Sequence, residues 1–116
     1  MRSLLAPLVL VSILSSCGAA APAAPPDDGR PTFQVAVGAS GYTPPEVSAP
    51  AGTDVRLVFT RTSDEGCGQE LVFPDLDVRR DLPLNQPVWV DLTTPASGRI
   101  AFTCGMAMYQ GAVVVH

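Results

Sequence analysis

The chain has 116 residues, a formal net charge of −4 and no lysine. That length supports one small domain with a single core. So acidic a chain is unsuited to sequence-independent nucleic-acid binding, which depends on clustered cations. No nucleophile–base pair, phosphate-cradling glycine loop or supported carboxylate pair is legible, so the reading is of a protein that is not an enzyme.

Met1-Arg2-Ser3 is a short positive start, and Leu4 to Leu14 is an apolar run too short to act as a stop-transfer span, the pattern of an export signal over residues 1–16. It ends in Leu14-Ser15-Ser16-Cys17-Gly18, which resembles the bacterial lipobox and implies that Cys17 is lipidated and becomes the mature N-terminus. The alternative is an ordinary cleaved signal with an incidental cysteine. Residues 17–31, rich in Ala and Pro, then read as an extended, solvated tether. The expected location is extracytoplasmic, on a bacterial membrane facing the periplasm or the cell surface.

From Thr32 the texture is short β-type runs broken by turn residues, with no sustained helical period. Phe33, Val35 and Val37 alternate with polar or small neighbours, and Glu46 to Ala49 makes a second run. Val55, Leu57 and Phe59 mark a half-buried strand whose Arg56 and Arg61 face solvent. Leu71-Val72-Phe73 is a brief run closed by Pro74, and Asp75 to Gln86 reads as a long polar crossing containing Arg79-Arg80. Pro87 to Leu92 is a strand centred on Trp89, read with Phe102 as a core aromatic. Arg99 to Thr103 and Ala112 to Val115 complete about seven strands, an all-β Greek-key sandwich over residues 32–116.

The chemistry concentrates in Phe102-Thr103-Cys104-Gly105-Met106-Ala107-Met108-Tyr109-Gln110-Gly111. A thiol and two thioethers within five residues suit a soft ion, Cu(I) foremost. With Cys17 acylated, Cys67 and Cys104 remain as an even pair. They form either a disulfide stapling a small exported domain or a dithiol reserved for metal. Cys67 and Glu70 are three residues apart, a separation that a turn closes. Met106 and Met108 could instead fill the core, Glu70 could be a solvated carboxylate, and Tyr109 could shield a metal or cover the core. His116, terminal and alone, reads as solvated.

Gly41-Tyr42-Thr43-Pro44, Leu57-Val58-Phe59, Cys67-x-x-Glu70-Leu71-Val72-Phe73-Pro74 and Phe102-x-Cys104-Gly105-Met106-x-Met108 together resemble the cupredoxin-like domains. The resemblance is closest to the branch of the pneumococcal membrane-anchored copper(I) chaperone and of cupredoxin-like segments in heavy-metal transporting ATPases. It implies a site for two Cu(I) ions bridged by Cys67 and Cys104, with Glu70 completing one position and Met106 and Met108 the other. Gln69 stands near where blue-copper members place a histidine, and no histidine follows Cys104 before the terminal His116. That departure argues against a blue electron-transfer centre. The resemblance implies a monomeric copper chaperone or buffer that passes its ions to a copper-exporting ATPase or another acceptor. The rivals are a disulfide-stapled binding or structural module and a copper redox carrier.

Overall fold

A computed structural model of the chain describes residues 25–116. The export signal, Cys17 and most of the expected tether lie outside the described residues. Among the described residues, nine strands form two facing sheets: β1 (Thr32–Gly38), β2 (Gly41–Thr43), β3 (Glu46–Ala49), β4 (Asp54–Arg61), β5 (Glu70–Phe73), β6 (Val78–Asp81), β7 (Pro87–Thr93), β8 (Gly98–Cys104) and β9 (Gln110–Val115). One sheet runs in the order β2-β1-β4-β7 and the other β3-β9-β8-β5-β6. The pairs β1/β4 and β3/β9 are parallel, and the other ladders are antiparallel. The fold is thus the expected all-β sandwich.

The period-two alternation decides what fills the space between the sheets. Val35 and Val37 of β1, Val55, Leu57 and Phe59 of β4, and Val90 and Leu92 of β7 point inward from one sheet. Leu71, Phe73, Ile100, Phe102 and Val113 meet them from the other. Phe59 contacts Phe102 and Phe73 edge-on, with ring centroids 5.2 and 6.1 Å apart, the arrangement favoured by the ring quadrupole. Tyr42 joins the cluster against Phe102, Phe59 and Tyr109. Its hydroxyl is buried and has no hydrogen-bond partner among the described residues. Burial, then the neighbouring Tyr109, pushes its ionisation well above the ordinary tyrosine range.

Several expectations are corrected. Arg56 does not face solvent: it is 2% exposed on the outer face of β4, because the end of the expected tether folds over it. Its Nε and Nη2 donate to the two Asp91 carboxylate oxygens at 2.6 and 3.0 Å, and Nη1 donates to the Pro26 carbonyl at 2.6 Å. Asp28 and Arg30 complete the network, Arg30 pairing with Asp91 at 3.2 Å. Residues 26–31 therefore lie against the domain. The Arg56 hydrogen bond, aided by the Arg56 and Arg30 charges, holds the Asp91 carboxyl below its ordinary value. The Arg30 backbone N–H, with Arg56 assisting, does the same for Asp28. Arg61 is half-buried and donates to the Leu82 carbonyl at 2.7 Å.

Trp89 is only half-buried, opposite Val58 on the outer face, because Val88, Val90 and Leu92 take the inward positions of β7. The Asp75 to Gln86 crossing contains β6, an edge strand that pairs with β5 through its backbone and needs no apolar face of its own. β2 adds a further short strand between the runs read at Phe33 to Val37 and Glu46 to Ala49.

Candidate metal centre

The site sits at one pole of the sandwich, where β4 ends, β5 begins and the β8–β9 hairpin turns. Cys67 lies in the loop from Thr62 to Gln69, directly after Gly66, whose φ is +81°. A side-chain carbon at Gly66 would stand 2.0 Å from the Tyr109 hydroxyl and 2.8 Å from the Ala39 carbonyl, so only glycine allows this loop to close on the core. Cys104 ends β8, and Ala107 then donates its N–H back to the Cys104 carbonyl at 2.9 Å with a left-handed φ of 58°. That turn directs the Met108 and Tyr109 N–H groups at Cys104 Sγ, at 3.2 and 3.3 Å.

The two cysteines are brought together. Their Cα atoms are 6.1 Å apart and their sulfurs are joined as a disulfide. Cys104 is 1% exposed and Cys67 8%, so both are buried, Cys67 slightly less so. Tyr109 links both sulfur-bearing loops: its N–H reaches Cys104 Sγ, and its hydroxyl donates to the Ala39 carbonyl at 2.6 Å while packing on Gly66.

The other three expected ligands stand differently. Glu70 and Met106 border a depression of about 310 Å³ together with Cys67, Gln69 and Gly105. Glu70 starts β5 on its outer face, and its carboxylate is engaged by Arg79 of β6. Met106 and Met108 are 77% and 70% exposed, which rules out the core-filling alternative. Met108 does not line the depression, and it meets Cys104 through its backbone N–H. Among the described residues, no three His, Cys, Asp or Glu side chains converge as a metal-holding group. Cys67, Cys104 and Glu70 are thus not gathered into a three-donor group. A larger hollow of about 700 Å³ beside β8 and β9, bordered by Glu46, Arg99, Thr103 and Gln110 among others, has no sulfur in its lining.

Sequence reasoning missed Arg79 and the two glycines that make room. A hairpin signal was present: Pro74 to Asp77 forms a 3-10 turn ending in a left-handed Asp77, which reverses the chain and returns Arg79 to Glu70. Gly105 admits the carboxylate, since a side-chain carbon there would meet Glu70 Oε1 at 3.0 Å.

A family model for the cupredoxin-like domain matches residues 4–115. The chain belongs to the cupredoxin-like family. Among solved structures it is similar to the Cu(I)-bound metal-binding domain of the Cu(I)-exporting P-type ATPase CopA of Streptococcus pneumoniae D39. Identity there is 22% and the TM-score 0.70, over 80% of this chain and 92% of that one. It is also similar to a copper-binding protein solved by NMR in its apo form, at 33% identity and a TM-score of 0.66 over 73% of this chain and 86% of that one. Reduced auracyanin of the photosynthetic bacterium Roseiflexus castenholzii shares the fold at 17% identity and a TM-score of 0.55, over 73% of this chain and 96% of that one. No curated protein matches the sequence significantly.

Proposed function

We propose that this cupredoxin-like domain binds copper as Cu(I) at the Cys67–Cys104 pole and hands it on by ligand exchange, acting as a carrier or buffer and not as an enzyme. The observation that carries this reading is the juxtaposition of both sulfurs at one pole, with Met106 and Glu70 bordering the same depression. Similarity to the Cu(I)-bound CopA domain and to the 33%-identical copper-binding protein supports it. Opening the disulfide takes two electrons and two protons from a thiol reductant. The resulting thiols lose those protons as they take up metal, so loading is favoured as pH rises. Two thiolates balance the charge of two Cu(I) ions. Glu70, a hard donor, and the neutral thioethers of Met106 and Met108 then complete positions of unequal strength. Anchoring through lipidated Cys17 would hold the domain at an extracytoplasmic membrane surface, raising its local concentration near a membrane exporter or other copper acceptor.

The test is copper stoichiometry after anaerobic reduction and reconstitution with Cu(I). Two equivalents in wild type, lost in Cys67→Ser and Cys104→Ser, are expected. Retention of both ions by either serine variant defeats the bridging-thiolate site. The disulfide itself favours a second reading, a stapled binding module. Protein that takes up no Cu(I) even as the free dithiol would establish it.

A further inference from the structure

Resting on the copper reading above, we infer that Arg79 sets how loosely the Glu70-side copper position is held, by competing with the metal for the Glu70 carboxylate. The β5–β6 register places Asp81 directly opposite Glu70 and Arg79 opposite Val72. Glu70, Asp81 and Arg79 therefore share the outer face of the hairpin. A like charge directly across the ladder disfavours Glu70 turning toward Asp81, and the diagonal cation attracts it. Arg79 Nη1 accordingly donates to Glu70 Oε1. This is the same oxygen that Gly105 leaves room for above the turn bearing Met106, so the carboxylate stands at the rim of the depression with its charge already engaged.

The partition is dynamic because the pair is exposed, Arg79 at 67% and Glu70 at 36% of the side chain. Exposed pairs of this kind are weak and sensitive to salt. Arg79 therefore weakens metal capture by Glu70 without abolishing it. It also offers the carboxylate an immediate partner when the ion leaves, which suits a position meant to release its cargo. Arg80, one residue on, spends a guanidinium N–H on the Arg79 carbonyl and provides a control of equal charge.

The experiment is competition for Cu(I) against a chromophoric Cu(I) chelator, using the reduced full-length protein at low and high ionic strength. Arg79→Gln is expected to tighten the weaker copper step about two- to fivefold at low salt, on the usual worth of an exposed pair, and the gain should vanish at high salt. Arg79→Lys should restore most of the wild-type weakness, Arg80→Gln should change nothing, and Glu70→Gln should abolish the Arg79 effect. If Glu70→Gln weakens the step but Arg79→Gln leaves it unmoved or weaker, Arg79 has no such role and the copper reading stands. If Arg80→Gln tightens the step as much as Arg79→Gln does, the effect is general charge and the inference fails. If Glu70→Gln changes no copper step, Glu70 is not a ligand and the inference falls with it. All four variants lie on the β5–β6 hairpin, and unchanged circular dichroism confirms the fold.

Discussion

Reducing the Cys67–Cys104 bond separates the structural value of the two sulfurs from their chemical value. The bond joins residues 37 apart in sequence. On the loop-entropy relation, a closure of that size constrains the unfolded chain by about 4 kcal/mol. For a domain of this size each kcal/mol moves the melting temperature by roughly 4–8 °C, so full reduction should lower it by about 15–30 °C. Cu(I) should then return much of that loss, because a ligand at 1,000 times its Kd contributes about 4 kcal/mol to the state that binds it. The assay is thermal unfolding followed by circular dichroism in three states: oxidised, reduced with a phosphine, and reduced then loaded anaerobically with Cu(I). Thiol titration verifies each. A melting temperature indifferent to the reductant would refute the stabilising role of the bond. A fall on reduction with no recovery on copper would refute the shared use of these sulfurs.

Arg56→Gln should loosen residues 26–31 from the sheet, seen as new proteolytic cleavage there and a lower melting temperature, since Pro26 loses its Arg56 donor and Asp28 and Asp91 keep only Arg30. The depressed Asp28 and Asp91 carboxyls fix the sign of a pH dependence. Their contribution is present above the unfolded carboxyl range near about pH 4 and disappears as pH falls through the lowered folded values. Denaturation midpoints should therefore drop below about pH 4 in wild type, and by less in Arg56→Gln. Gly66→Ala should destabilise by at least about 1 kcal/mol, because a left-handed φ and the Tyr109 hydroxyl both oppose a side chain; urea unfolding measures it. Met106→Leu and Met108→Leu, both at exposed positions, should leave the melting temperature within about 2 °C of wild type while weakening only the more labile copper step.

The sequence alone determined the class of fold and named the candidate donors. Alternation in Phe33 to Val37 and Val55 to Phe59 requires a strand with one face inward, and a thiol and two thioethers between Cys104 and Met108 form a soft-donor set whatever the backbone does. Local pattern did not carry the rest. Arg56 reads as solvent-facing because alternation describes a single strand, whereas the Pro26 carbonyl and Asp28 that cover it arrive from 30 and 28 residues away. Trp89 reads as core by its size, yet its parity along β7 puts it outside. β6 is invisible to hydrophobic periodicity because an edge strand is held by backbone pairing, and without β6 nothing predicts that Arg79 meets Glu70. The resemblance already implied that Cys67 and Cys104 come together; only the tertiary structure decided that they meet at one pole joined as a disulfide. Two loops separated by 37 residues become neighbours there because β5 and β8 pair at Leu71 and Cys104, and that pairing depends on the whole sheet.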